Sequence, residues 1–197
     1  MNTLKAEKRS MDVKAKRLRR EGYVTGNLFG REIEGSIPLK FTKKEIEVLL
    51  KNNNKGSQVM LELDGKTYDA LIKEVDYNPL AHTVEEVDFQ ALVSNEMVHS
   101  TAEIILENEE KVMSGVLQDE LKEVAYKALP ADLVDKIKVD VAGMKIGDTL
   151  RVKDLEIAKN KNIHITTDPE AVVATVTPVH NVVPETETEA EETAEEK

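Results

Sequence analysis

Lys14-Ala-Lys-Arg-Leu-Arg-Arg20 puts five cations into seven residues. On a helix, Lys16 and Arg20 would share one face, and Lys14 and Arg17 another. Cations at that density attract phosphates by releasing their counterions, whatever the base sequence. The competing reading is a solvated helix face, the commoner fate of a basic run. Tyr23 and Phe29 follow on a Gly-containing stretch. Aromatics beside cations can stack on unpaired bases, although core packing is their commoner use. Val87-Asp88-Phe89 sets an acid between two apolar residues, directly after Glu85-Glu86. Asp88 is then an outward acid on an edge strand, an acceptor for a base or ribose donor, or a group that aims a nearby Arg.

Other chemistry finds little support. His82, His99, His164 and His180 lie too far apart for a zinc pattern, and there is no Cys. No Ser sits in a nucleophile elbow. Gly143-Met-Lys-Ile-Gly147 is neither a phosphate loop nor a dinucleotide fingerprint, and Glu109-Glu110 falls in a turn. The expectation is no enzyme, no metal and no cofactor.

The charge is sorted along the chain. The molecule is formally -11, yet residues 1–20 hold eight Lys or Arg against two acids. Residues 1–93 are close to neutral, residues 94–184 are acidic, and residues 185–197 hold seven Glu and one Lys. A basic entry on an acidic molecule suggests a polyanion gripped at one end. The Glu, Thr and Ala tail cannot offset its ordering entropy and is expected to be disordered. No apolar run approaches membrane-spanning length, and the basic start lacks the apolar stretch of a secretory signal. The expectation is a cytoplasmic protein with no membrane partner.

Short alternating segments must position these residues. Thr3 to Ala6, Val24 to Phe29 and Ile33 to Phe41 read as strands. Thr42 and Glu45 form a capping box for a helix with Ile46, Leu49 and Leu50 on one face. Asp64-Gly65 turns a hairpin between Val59–Leu63 and Tyr68–Val75. Asn78-Pro79 breaks the chain, and Val84 to Val93 is a further strand. In the second part, Ala102–Leu106 and Val112–Leu117 flank a polar turn. Val124–Leu129, Ile137–Val141, Leu150–Val152, Ile163–Ile165 and Val172–Val176 follow. Short strands at this spacing predict a β-sandwich or barrel rather than a parallel α/β sheet. The predicted organisation is a domain over 1–93, a second over 94–184, and the tail over 185–197.

The ordered set of short motifs resembles a known family. They are Ala6-Glu-Lys-Arg9, Arg17-Leu-Arg-Arg-Glu-Gly22, Leu28-Phe-Gly30, Asp64-Gly-Lys66, Leu71-Ile-Lys-Glu-Val75 and Val87-Asp-Phe89 in the first part. Gly115-Val-Leu-Gln118, Leu129-Pro-Ala-Asp-Leu133, Ile137-Lys-Val-Asp-Val141, Ile146-Gly-Asp148 and Asp154-Leu155 carry it through the second. Together they resemble the bacterial large-subunit ribosomal protein twenty-five family, in the long form of the general stress protein Ctc. The resemblance implies a mainly β, α+β fold: an N-terminal antiparallel β-barrel and a β-rich C-terminal domain. It implies a ribosome-associated protein that binds 5S rRNA in the central protuberance, with no enzyme activity. Neighbouring ribosomal proteins would meet the C-terminal domain, and the chain would be a monomer off the ribosome.

By position, Arg9, Arg19, Arg20 and Asp88 are the implied RNA contacts, and Lys14, Lys16 and Arg17 join them from the basic cluster. The chain departs from the family pattern at three contact positions: Phe29 replaces a usual Tyr, Glu86 a usual His, and Asn78 the His of His-Pro. Ser10-Met-Asp-Val-Lys14 also replaces a Gly-Lys-Gly-like stretch. Phosphate positioning is thereby kept better than base reading. The alternative expectation is a stress-associated interaction protein with the same fold and weakened 5S rRNA binding.

Overall fold

Alternation of apolar and polar residues builds the first half. In the computed structural model, which describes residues 3–112 and 115–178, strand β1 (Thr3–Lys8) buries Leu4 and Ala6. A short helix, α1 (Ala15–Arg20), follows and is anchored by buried Leu18. Strands β2 (Tyr23–Phe29) and β3 (Ser36–Thr42) form a hairpin. β3 begins later than Ile33 because Gly35 turns there at φ +77°, and Ile33 packs on the core from the loop. Helix α2 (Lys43–Leu50) starts on the expected capping box of Thr42 and Glu45 and buries Ile46 and Leu49. Strands β4 (Gln58–Leu63) and β5 (Lys66–Asn78) form the hairpin over Asp64-Gly65, and β6 (Thr83–Ala91) returns along β5.

These six strands close into a barrel in the order β1-β3-β2-β6-β5-β4. The expected barrel is mainly antiparallel, with two parallel seams, β1 with β4 and β2 with β6. Both seams join strands distant in sequence, where no tight turn forces the chain to reverse. Phe41 and Phe89 meet inside, ring centroids 5.4 Å apart and tilted by 55°, an arrangement that aromatic rings favour. Gly26 sets the β2–β6 spacing: a Cβ there would lie 2.0 Å from the Val87 carbonyl oxygen. Closure leaves β6 no free edge. Asp88 therefore does not lie on an edge strand, as one reading of the sequence had it.

The second half has two small sheets around one core. Strands β7 (Val98–Glu107), β9 (Glu123–Ala128), β10 (Lys136–Asp140) and β12 (His164–Ile165) form one, in the order β10-β7-β9-β12. Strands β8 (Val116–Asp119), β11 (Thr149–Arg151) and β13 (Val172–Thr177) form the other. The polar turn at Asn108 to Lys111 does not pair its flanking strands; β8 pairs with β13 instead. β10 runs parallel to β7. Val124, Tyr126, Val152, Leu155 and Val173 fill the core between the sheets. The Tyr126 hydroxyl donates to the Val134 carbonyl and accepts from the Val134 N–H, both at 2.8 Å, and burial raises its pKa.

Among the described residues no helix is long and apolar enough to cross a membrane. The expected tail over 185–197, together with Ser114 and His180, lies outside the described residues.

Candidate nucleic-acid interface

The basic cluster is helical. Lys14 is the N-cap of α1, and Leu18 fixes the helix against the barrel. Arg17, Arg19 and Arg20 stand in its last turn, where the helix dipole favours cations. Arg17 pairs with Glu21 at 2.9 Å across one turn. Lys14, Lys16 and Arg20 are exposed, with no carboxylate partner among the described residues. Arg9 ties down the approach to the helix: its Nη2 donates to the Val13 carbonyl at 3.2 Å. Its Nε is buried with no partner among the described residues.

Arg19 points the other way, onto the barrel wall. It donates to the Glu85 carboxylate at 2.8 Å, the Glu85 carbonyl at 3.1 Å and the Glu86 carboxylate at 3.2 Å. Glu86 in turn accepts from Asn27 Nδ2 at 3.3 Å. Asp88 accepts twice from Asn27, from its backbone N–H at 2.9 Å and from Nδ2 at 3.0 Å. Asn78 donates to Glu85 at 2.7 Å, while its Oδ1 accepts the N–H groups of Leu80 and Ala81. One hydrogen-bonded floor thus runs Asn78–Glu85–Arg19–Glu86–Asn27–Asp88 across β5, β6 and β2. Glu74 and Asp76 share a shallow hollow with Glu86 and Asp88.

The floor gives both acids a partner. Glu86 is ion-paired with Arg19. Asp88 does not aim an Arg; it orients Asn27. Phe29 is half-buried at the end of β2. Tyr23, also half-buried, carries the Lys40 ammonium 5.0 Å from its ring centroid. A hydrogen bond to Glu7 raises the Lys40 pKa, so this cation is already engaged.

Sequence reasoning missed Asn27, Glu85 and Thr25, whose hydroxyl accepts from Arg19 Nη2 at 3.5 Å and donates to the Glu85 carbonyl at 3.4 Å. Asn27 lies two places before Phe29 and so on the same side of β2, which was the one signal available. Its link to Asp88 depends on the β2–β6 seam, 61 residues apart in sequence.

The arrangement separates two tasks. The cations of α1 can grip phosphates by charge. The carboxylates and amides of the floor are acceptors and donors suited to base edges and ribose hydroxyls.

Comparison with known proteins agrees in both halves. The family model described as the Ribosomal L25p family matches residues 4–89. The model described as Ribosomal protein TL5, C-terminal domain, matches residues 97–180. The large ribosomal subunit protein bL25 of Caldanaerobacter subterraneus subsp. tengcongensis is 31% identical over 196 residues, 98% of each chain. That of Bacillus velezensis is 31% identical over 183 residues, 90% of this chain and 89% of the relative. That of Thermoanaerobacter pseudethanolicus is 32% identical over 164 residues, 82% and 81%. With both halves matched in order and relatives aligned along nearly the whole length, the chain belongs to the bL25 family in its long form, and is a structural, non-enzymatic, ribosome-associated constituent of the large ribosomal subunit in the cytoplasm.

Proposed function

We propose that the α1 cations and the barrel floor bind 5S rRNA within the large subunit. The observation that carries this is the pairing of a cationic rim, Lys14, Lys16 and Arg20, that has no carboxylate partner among the described residues, with a floor whose polar groups are already fixed by one another. Fixed groups lose little further freedom on binding. Arg9, Arg17, Arg19, Phe29, Asn78, Glu86 and Asp88 complete the proposed site: Arg9 orders the loop, Arg17 adds a further rim cation, and Phe29 offers a half-buried ring at its edge. The C-terminal half would meet neighbouring ribosomal proteins, and the free chain would be a monomer.

The test is binding of the full chain to 5S rRNA and to a structured RNA of similar size, titrated over salt. Preference for 5S rRNA, with affinity falling steeply as salt rises, supports the reading; equal binding to both removes it. One observation favours a second reading, an interaction protein with weakened 5S rRNA binding: Arg19 is enclosed by two carboxylates beside Glu74 and Asp76. A large pool free of large subunits at moderate salt would favour that reading.

A further inference from the structure

The two halves meet around a cleft of about 290 Å³ with an unusual wall. Lys55, Lys73 and Glu74 line it from the barrel side, and His99 from the start of β7. The junction is tight. Gly56 adopts φ +88°, and a Cβ there would lie 1.9 Å from the Thr101 carbonyl oxygen. Asn54 donates to Glu103 at 2.5 Å, and Lys73 Nζ donates to the His99 carbonyl at 2.8 Å. The cleft is therefore held in shape by contacts from both halves.

Its charge is poorly balanced. His99 stands directly opposite Lys127 in the β7–β9 ladder, and Lys127 directly opposite His164 in the β9–β12 ladder. Residues paired in this way project from the same face. His99, Lys127 and His164 thus make one row beside Lys73. Lys55 has a carboxylate, Glu123 at 3.6 Å. Lys73 and Lys127 have none within ion-pairing distance among the described residues. Burial and the neighbouring Lys55 lower the Lys73 pKa, and partial desolvation with Lys127 and Lys73 lowers that of His99. Cations that destabilise one another in a fixed cleft are relieved by an anion.

We propose that this cleft and its edge form a second phosphate-binding site, in which Lys73 and His99 in the cleft and Lys127 beside His99 take backbone phosphates of the RNA bound by the barrel. It rests on the RNA-binding reading above and extends it to the second half. β5 links the sites: Lys73 is five residues from Asn78, roughly 17 Å along an extended strand, within the reach of one RNA helix. The site carries phosphate affinity and no base reading.

The test compares four full-length proteins on 5S rRNA over a salt series: unaltered, Lys73→Met with Lys127→Met, Lys127→Ala alone, and Arg20→Ala. Lys127 has no side-chain hydrogen bond among the described residues, so the single variant spares the junction. The double variant should lower the slope of log K against log salt by about 1.4–1.8, and the single by about half that. In parallel, NMR follows the His99 imidazole, which faces Lys55, Lys73 and Glu74 from the barrel and Lys127, His164, Glu103 and Glu123 from its own sheet. Bound RNA should raise its pKa from the lowered value. Unchanged slopes in both cleft variants, alongside a reduced slope for Arg20→Ala, would overturn the cleft site and leave the barrel site standing. Failure of the unaltered chain to bind 5S rRNA would overturn both. If excess inorganic phosphate shifts His99 but RNA does not, the cleft serves free phosphate and the RNA assignment falls.

Discussion

At the residue scale, neighbours in sequence have opposite uses. Arg19 and Arg20 are adjacent, yet Arg19 is enclosed by Glu85 and Glu86 while Arg20 has no carboxylate among the described residues. Arg20→Ala should lower the salt slope of 5S rRNA binding by about 0.7–0.9. Arg19→Ala should change it little and instead destabilise the fold by on the order of 1 kcal/mol, because Glu85 and Glu86 lose their partner. Thermal melts and salt titrations of the two variants separate these effects, and equal slope changes would contradict the division. Glu86 is the second case. Glu86→Gln removes one anion from the floor and loosens Arg19. Binding should tighten by about 1 kcal/mol, roughly fivefold. An unaltered affinity in the same titration would mean that Glu86 does not face the RNA.

At the element scale, the β2–β6 seam decides whether the floor exists. Asn27 reaches Glu86 and Asp88 only because Gly26 lets the two strands approach. Gly26→Ala would drive a methyl group into the Val87 carbonyl, in a well-packed barrel where overpacking costs about 1–3 kcal/mol. We expect a lower melting temperature, and RNA binding weakened even at temperatures where the variant is folded, since Asn27 and Asp88 separate. Wild-type affinity in the folded variant would show that the floor tolerates a wider seam. The capping box of α2 was readable from Thr42 and Glu45, since it is made within four residues. The seam was not, because Gly26 and Val87 meet through closure of the whole barrel.

At the scale of the molecule, the two hydrophobic clusters share no residue: one gathers residues 4 to 91, the other 102 to 174. We propose that residues 1–93 fold alone, with a cooperative melt followed by circular dichroism. The fragment should keep the α1 cations and the floor, and so keep its preference for 5S rRNA. Its salt slope should be shallower than that of the full chain, because His99 and Lys127 are gone. A non-cooperative melt would mean that the Gly56 junction is needed for the barrel itself.

Sequence alone determined whatever is made locally. Alternation marked most strands, Asp64-Gly65 a hairpin, and Lys14 to Arg20 a dense run of cations whose helix only the structure established. The ordered motifs identified the family. The strands and the hairpin depend on residues close together in the chain, and the family signal depends on the order of short motifs along it. Only the tertiary structure decided what those charges do. The parallel seams, the placing of β8 with β13, the capture of Arg19 by Glu85 and Glu86, and the row of His99, Lys127 and His164 all join residues far apart in the chain. A charge is visible in sequence, but its partner is set by strand register and barrel closure, and the partner determines whether a cation is free to meet phosphate.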